Sequence, residues 1–149
     1  MGLAVYYKDE NDQFVEVDSE AGVYITTTHD GKNGDVKVTQ LYLRNDDASK
    51  WFSNILIKPY DLIEPYDINY EETGWGVKLS EGSNELTSAE WENKQWAEQI
   101  SMGSIGSDSS SDTTTYFSFW YYITCPPNED VKIKTDIILD VSYTENSVI

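Results

Sequence analysis

The alternation of apolar and polar residues is clearest in the last third of the chain. In VKIKTDIILDVSYTE, every second residue from Val131 to Tyr143 is apolar except Thr135, and the residues between them are polar except Ile138. A period of two is typical of a strand that buries one face, because successive side chains of a strand point to opposite sides. This segment therefore predicts the clearest strand of the fold.

An aromatic run, TYFSFWYYITC, precedes this strand and follows the same period. One face carries Phe117, Phe119, Tyr121 and Ile123, and the opposite face carries Tyr116, Ser118, Trp120 and Tyr122. The first set is the better candidate for the core. The CPPNED segment that follows supplies a strand breaker and turn-forming residues. It predicts a hairpin or a connection that crosses to a second sheet.

Two earlier segments show alternation with irregularities. In DVKVTQLYLRNDD the apolar positions change parity, which predicts a strand that is bulged or twisted near Gln40. In WFSNILIKP, one side carries Trp51, Ser53, Ile55 and Ile57, and the other carries Phe52, Asn54, Leu56 and Lys58. Neither side is fully polar, so both are expected to be covered. Pro59 is predicted to end this strand, because proline has no backbone donor.

The first 32 residues read as shorter elements. LAVYYKD, QFVEVD and GVYITTT are predicted strands, separated by the turn segments DEND and SEAG, and HDGKNGD closes this section. Residues 1–32 are therefore predicted to form N-terminal strands or a docking arm. Residues 33–149 are predicted to form the main domain.

One short segment carries a helix signal. In LTSAEWENKQW, Thr87 and Glu90 have the spacing of a capping box, and Leu86 with Trp91 has the spacing of a hydrophobic staple. The pattern predicts a helix of one or two turns. Further along, a strand-like alternation is carried by Trp96, Glu98, Ile100 and Met102.

Many short strands, frequent turn signals and one small helix predict an all-β fold, an antiparallel immunoglobulin-like β-sandwich with one short helix. A length of 149 residues is that of one domain, and an apolar content of 39% is sufficient for one core. The segment GSIGSDSSSD is low in complexity and is predicted to be a flexible, exposed loop.

The net charge of the chain limits the classes of partner that it is expected to bind. With 27 acidic and 10 basic residues, the net charge is -17. Such a surface repels phosphate backbones, so nucleic acid is not an expected partner. No segment approaches the roughly 20 apolar residues of a membrane span, and no membrane association is expected. The acidity either keeps a β-rich protein soluble or complements a basic partner surface.

Residues suited to nucleophilic chemistry are sparse. Cys125 is predicted to be buried and inert, because His29 is the only histidine that could activate it. No GxSxG turn or phosphate-binding loop occurs. Candidate paired carboxylates such as Glu71, Glu72 and Glu90 fit solvated surface or helix capping better than general acid and base chemistry.

Two loops, HDGKNGDVK and KDENDQF, contain oxygen ligands that calcium prefers, but neither has the spacing of an EF-hand. Ordinary turn chemistry accounts for both. One histidine and one cysteine make a zinc site a poorer fit still. No catalytic, cofactor-binding or metal-binding residue is therefore predicted, and no cofactor is expected.

Aromatic residues are the remaining candidates for function. Five tryptophans and eleven tyrosines could form a platform that stacks on sugar rings. The same residues also fill the space between sheets or line a protein interface, where Tyr and Trp are enriched. Their regular alternation within predicted strands favours the core or an interface.

Several sequence elements between Asn33 and Glu145 resemble a family of small β-sandwich proteins encoded by tailed bacteriophages. These elements are LYLRND, WGVKL, a T-x-x-E-W helix start, an IGS loop, TYF-x-FW, a CP turn and D-I-x-L-x-x-x-Y-T-E. The resemblance implies an immunoglobulin-like sandwich that acts as a virion component, such as a capsid decoration, head-fibre or tail-associated subunit. Residues 1–32 lie outside it.

The resemblance implies a structural protein rather than an enzyme, present in the virion and assembled in the host cytoplasm. Its expected partners are the capsid or tail proteins of the virion and further copies of itself in a homo-oligomer. Trp120 and Tyr122, on the outward face of the aromatic run, are the residues predicted for such an interface, because aromatic side chains often anchor contacts. The alternative is a carbohydrate-binding or adhesion module that binds a host surface glycan.

Overall fold

The computed structural model describes residues 3–17, 23–28, 35–61, 75–106, 116–125 and 133–148. Within these ranges the chain forms strands and one short helix. The elements are β1 (Leu3–Lys8), β2 (Phe14–Glu16), β3 (Val23–Thr28), β4 (Asp35–Asn45), β5 (Lys50–Asp61), β6 (Gly76–Glu81), α1 (Ser88–Glu92), β7 (Ile100–Met102), β8 (Tyr116–Cys125) and β9 (Ile133–Ser147).

The strands form two sheets packed face to face. The five-stranded sheet has the order β2-β1-β4-β8-β6, and the four-stranded sheet has the order β3-β9-β5-β7. Every described strand pair is antiparallel. The predicted all-β antiparallel sandwich with one short helix is confirmed in this architecture of two packed sheets.

The core lies between the two sheets and is contributed by both. Phe119, Tyr121 and Ile123 of β8 are fully buried, and Phe117 packs against the same cluster while remaining partly exposed. From the facing sheet, Phe52, Ile55 and Ile57 of β5 and Leu139 of β9 complete the centre of the core. The predicted inward face of the aromatic run is confirmed.

The chain crosses between sheets several times. β8 belongs to the five-stranded sheet and β9 to the other. The connection after Cys125 therefore crosses to the second sheet, which was one of the two predicted alternatives, and does not form a hairpin. The three predicted N-terminal strands exist. β1 pairs with both β2 and β4, and β3 pairs with β9, so the described part of residues 1–32 contributes strands to both sheets.

The bulge predicted near Gln40 is absent from the pairing of β4 with β8. Their register is continuous from Asp35↔Cys125 to Arg44↔Tyr116. The change of parity has a different cause: Val36 and Val38 are apolar residues on the outer face, as is Tyr42, which is nevertheless buried. The Phe14 ring of β2 covers it at a centroid distance of 5.3 Å. An outward position of a strand can therefore carry an apolar residue when a side chain from another strand covers it.

The strict alternation predicted for residues 51–58 is wrong, because β5 contains a bulge. Its register with β9 shifts between Ser53 and Leu56, and Asn54 has a φ of 54°. The left-handed conformation suits asparagine, which tolerates positive φ better than most residues. The bulge moves Phe52 into the core together with Ile55. The side chain of Asn54 then donates to Thr144 Oγ1 at 3.2 Å.

Pro59 does not end β5, contrary to the prediction, because the strand continues to Asp61. The described pairing of β5 with β7 covers only Ile55 to Ile57, so Pro59 lies beyond the end of β7. Proline has no backbone N–H to donate. It is tolerated at a position where no neighbouring strand would accept that hydrogen bond.

The exposed loop predicted at residues 103–112 contains a buried residue in its described part. Ile105 is fully buried and forms an isolated bridge with Phe52. Two backbone hydrogen bonds of 3.0 and 2.9 Å join these residues. The prediction of an exposed loop is therefore wrong at Ile105, an apolar residue within a segment of low complexity. Residues 107–112 lie outside the described ranges.

The predicted helix and its capping box are confirmed. Thr87 Oγ1 accepts from the Glu90 backbone N–H at 3.3 Å, and a Glu90 carboxylate oxygen accepts from the Thr87 N–H at 3.0 Å. These bonds favour the ionised carboxylate and lower the pKa of Glu90. Trp91 is the residue by which the helix is buried against the sheet.

Replacing Thr87 by alanine is expected to destabilise the fold by about 1 kcal/mol, because a helix N–H loses its acceptor. Urea denaturation of the variant measures the loss. Ser88→Ala, an exposed change one residue further on, is the control and should leave stability within about 0.5 kcal/mol. Equal stability of wild type and Thr87→Ala would show that the cap is not formed in solution.

Candidate interaction surface

The outer face of the five-stranded sheet carries aromatic side chains along its length. β8 contributes Tyr116, Ser118, Trp120 and Tyr122 to this face. Trp120 is paired with Gln40 of β4 and Ser80 of β6, and Tyr122 is paired with Lys78. Trp120 and Tyr122 are half-buried there. The structure thus places both residues predicted for an interface on one sheet face.

The outer face of the four-stranded sheet differs in chemistry. Its described outward positions on β5 and β9 include Lys58, Asp140, Ser142 and Thr144, all of which are exposed. Tyr143 is 44% exposed, but its ring packs edge-on against Phe52 at a centroid distance of 5.1 Å. The two sides of the sandwich therefore present a polar surface and an aromatic surface.

One end of the aromatic face is a cluster of cations and rings, which we call the cation–aromatic patch. It comprises Tyr6, Lys8, Phe14, Tyr42, Arg44 and Tyr116. The Phe14 ring lies at its centre, 5.0 Å from the Tyr116 centroid and 6.0 Å from that of Tyr6, in edge-to-face arrangements. Such pairs add stability beyond their buried area. Tyr116 is 40% exposed and is the most accessible of the rings that border solvent in this cluster.

Two cations lie over these rings. Lys8 Nζ is 5.0 Å from the centroids of both Phe14 and Tyr42, and Arg44 Cζ is 4.9 Å from that of Phe14. These are cation–π distances. Lys8 also forms an ion pair with Asp12 at 3.5 Å. Arg44 Nε is buried and has no acceptor in the described part of the chain. This buried donor is therefore left without a hydrogen bond there, and the contacts of the guanidinium are with the rings.

Tyr6 in this patch has a perturbed hydroxyl. Burial and the nearby carboxylates of Asp46 and Glu16 raise its pKa, and Arg44 opposes this effect. The phenol consequently remains neutral and available as a donor at all physiological pH values.

The other end of the face holds a buried lysine. Lys78 is 4% exposed, and its Nζ lies 4.1 Å from the Trp96 ring centroid and 5.7 Å from that of Tyr122. The ammonium donates to the Trp91 carbonyl oxygen at 2.7 Å. The Trp91 ring stacks on Tyr122 at a tilt of 32° and a centroid distance of 4.9 Å. We call Lys78, Trp91, Trp96 and Tyr122 the lysine cage.

The lysine cage holds the helix against the sheet. Burial disfavours the charged amine and lowers the pKa of Lys78, and the carboxylate of Glu92 acts in the opposite direction. The ring faces and the carbonyl oxygen replace part of the lost hydration. Tyr122 is thereby enclosed on one side by the chain's own residues, whereas Trp120 has no such cover among the contacts of the described residues.

Two open clefts border the β6 edge of this face. The first, between β6 and α1, has a volume of about 460 Å³ and is lined by Ser80, Glu81, Leu86, Glu90, Asn93 and Lys94. The second, of about 410 Å³, lies at the end of the sandwich. Its lining includes Glu81, Ser83, Tyr116 and Phe117. Glu81 lines both clefts.

The remaining sequence candidates take structural positions. Cys125 is 3% exposed, so its predicted burial is confirmed. The Asp9 carboxylate in KDENDQF accepts from the N–H groups of Asn11 and Gln13 and closes a turn. Glu90 caps the helix. His29, Glu71 and Glu72, like most of HDGKNGDVK, lie outside the described ranges.

In the part of the chain that the structure describes, no three His, Cys, Asp or Glu side chains lie together in a metal-binding arrangement. Within the same ranges, no helix has the length and apolar content needed to cross a membrane.

Sequence reasoning missed the lysine cage and the role of Arg44. WGVKLS places Lys78 between Val77 and Leu79, an arrangement that fits an ordinary outward-facing lysine on a strand. A usable signal was the high density of tryptophan in EWENKQW, which follows the strand and could cover its outer face. Arg44 gave no signal, because the two rings that it contacts, Tyr6 and Phe14, belong to two other strands.

No protein-family model matches the sequence, and no curated protein is significantly similar to it. The fold alone does not decide between functions, because sandwiches of this kind host many unrelated activities. A function must therefore be argued from the surface described above.

Proposed function

We propose that the chain is a non-enzymatic structural component of a tailed-bacteriophage virion. In this proposal it is a capsid decoration or head-associated protein that binds the major capsid protein or further copies of itself. The sequence elements between Asn33 and Glu145 support the assignment to a virion, as a resemblance. The aromatic outer face of the five-stranded sheet supports the assignment to a binding role.

The observation that carries the binding role is the cation–aromatic patch. Tyrosine, tryptophan and arginine are the residues enriched at the energetically important centres of protein interfaces. Arg44 and the 40% exposed Tyr116 occur together there, and Trp120 follows on the same strand as Tyr116. The opposite sheet presents exposed Lys58, Asp140 and Ser142 instead.

The charge of Arg44 indicates which group a partner supplies. A guanidinium that stacks on a ring at the surface is suited to a carboxylate from another protein. The rings beside it exclude water from such a pair and so strengthen it. Trp120 and Tyr122 remain predicted interface residues, and the lysine cage already occupies part of the Tyr122 ring.

A particle-binding experiment tests the proposal. The chain should be found by mass spectrometry in purified particles of the phage that encodes it. Particles that lack the chain through deletion of its gene should rebind the purified protein. A variant with Arg44→Gln and Tyr116→Ala should rebind at least about 10-fold more weakly, the effect of losing interface anchors.

The control for this experiment is Tyr143→Ala, which removes a tyrosine of similar exposure, 44%, from the opposite sheet. It should rebind particles like the wild type. Thermal denaturation establishes that each variant is folded. Absence of the chain from purified particles would contradict the virion assignment. Undiminished rebinding of the Arg44→Gln and Tyr116→Ala variant would contradict the proposed surface.

A further inference from the structure

The groove between β6 and α1 shares the lining residue Glu81 with the cleft at the end of the sandwich, and the two together offer polar and aromatic groups to a ligand. We propose that this groove binds a neutral oligosaccharide. The first cleft is separate from the surface proposed for attachment to a particle, since it lies at the β6 edge of the sheet, whereas the cation–aromatic patch is built mainly on β1, β2 and β4. Tyr116 belongs to the patch and also lines the second cleft, so the substitutions that test the sugar site are made in the first cleft.

The side chains that line the groove carry free hydrogen-bonding capacity. Among the described residues, the side chains of Glu81, Asn93 and Lys94 make no hydrogen bond or ion pair. Together they offer a carboxylate acceptor, an amide with both donors and an acceptor, and an ammonium donor. A ring of sugar hydroxyl groups needs this mixture, because each hydroxyl both donates and accepts. The Leu86 side chain supplies an apolar wall.

The shape of the site fits an elongated ligand. Each cleft, of about 460 and 410 Å³, is open and within the range of small-molecule sites, and neither is a deep pocket. The rings of Tyr116 and Phe117 lie in the second cleft, where they can stack on the apolar C–H faces of pyranose rings. A chain of several sugar rings could contact the polar first cleft and the aromatic second cleft together.

Charge and backbone pairing exclude the other polymers. Glu81 and a net charge of -17 oppose phosphate and uronate chains. An added peptide strand would need a free edge on β6. On that edge the Val77 carbonyl is already occupied, because the Ala97 N–H donates to it at 2.8 Å. Recognition through side chains favours a neutral ligand rich in hydroxyl groups.

The test is an array of neutral oligosaccharides, followed by calorimetric titration with the best ligand. Tryptophan fluorescence reports occupancy, since Trp120 is the cross-strand neighbour of Ser80 and Trp91 belongs to the adjoining helix. Hexagalacturonate serves as the anionic probe. We expect saturable binding of at least one neutral oligosaccharide and none of the uronate. No binding across the array, or stronger binding of the uronate, overturns the proposal.

Substitutions locate the site. A variant with Glu81→Gln and Asn93→Ala is expected to lose at least about 10-fold in affinity, because two groups that bind sugar hydroxyls are removed. The matched control, Glu85→Gln with Asn84→Ala, changes exposed residues of the preceding loop that line neither cleft. It should bind like the wild type. Equal affinity of the two variants would place binding elsewhere and overturn the proposal.

The particle-binding assay separates this inference from the proposed function. The variant with Glu81→Gln and Asn93→Ala should rebind particles normally while losing the oligosaccharide. Loss of particle binding in this variant would show that the groove is part of the protein interface, which overturns the assignment to a sugar. Loss of particle binding by the variant with Arg44→Gln and Tyr116→Ala bears only on the virion proposal.

Discussion

Phe119→Ala is expected to lower the free energy of unfolding by about 3–5 kcal/mol, the usual cost of removing a buried phenylalanine ring from a core. Phe119 is fully buried, at the centre of β8. Its strand neighbours are Leu41 of β4 and Glu81 of β6, and its ring lies in the core that the two sheets share. Urea denaturation monitored by tryptophan fluorescence measures the loss.

The control for this prediction is Ser118→Ala, the adjacent residue on the outer face of β8. Its side chain points away from the core, and the change should alter stability by no more than about 0.5 kcal/mol. If Phe119→Ala had an equally small effect, the inward and outward faces of β8 would be reversed. The cation–aromatic patch would then not be an outer surface, and the proposed interface would fail with it.

The sequence pattern predicted the core face of β8 because this strand obeys the simplest physical rule. Its pairing with β4 and β6 is continuous, so parity is preserved from one end to the other. The helix start was also predictable, since a capping box depends only on residues three positions apart. In both cases the determining contacts are local or strictly periodic.

The alternation of apolar and polar residues gave the wrong prediction in two situations. In one, a single residue shifts the register of a strand, and in the other, a ring from a distant strand covers an outward position. In β5, the bulge at Asn54 turns Phe52 inward, and asparagine in the sequence was the only local hint of positive φ. In β4, Tyr42 is buried on the outer face by Phe14, which belongs to β2. Alternation cannot reveal such a cover, because it depends on how strands far apart in sequence are arranged.

The candidate surface was predicted only in outline. Trp120 and Tyr122 were correctly expected to share the outward face, but the cations and the clefts beside them were not foreseen. Arg44 and Lys8 meet over Phe14 because β1 lies between β2 and β4. That order is a property of the whole sheet. Composition emphasised the excess of acidic residues and drew attention away from these two cations.

Lys78→Ala is expected to destabilise the fold by about 2–5 kcal/mol. The substitution removes buried methylene groups, the hydrogen bond of a charged donor to the Trp91 carbonyl and the cation–π contact with Trp96. The carbonyl keeps one partner, because the Lys94 N–H also donates to it at 3.1 Å. Urea denaturation measures the change. Lys37→Ala, an exposed lysine on β4, is the control and should have little effect.

Lys78→Met separates packing from charge. Methionine retains a long apolar side chain but has no ammonium, so its expected cost is less than half that of alanine. An equal loss in the two variants would show that the charged contacts, rather than the methylene groups, hold α1 to the sheet. A loss below about 0.5 kcal/mol in Lys78→Ala would show that Lys78 is not buried in solution.

The difference in stability between the wild type and Lys78→Met is expected to depend on pH. Because burial lowers the pKa of Lys78, the folded chain releases this proton at a lower pH than the unfolded chain, whose lysine titrates near 10.5. Between the two pKa values the unfolded state binds more protons, so the stability that Lys78 contributes rises with pH. Other groups, including Tyr6 and Lys50, are present in both proteins and cancel in the difference. The stability of wild type minus that of Lys78→Met should therefore increase as pH is raised from neutral towards 10.5. A difference that stays constant or falls would mean that the rings and the Trp91 carbonyl stabilise the ammonium at least as well as water does.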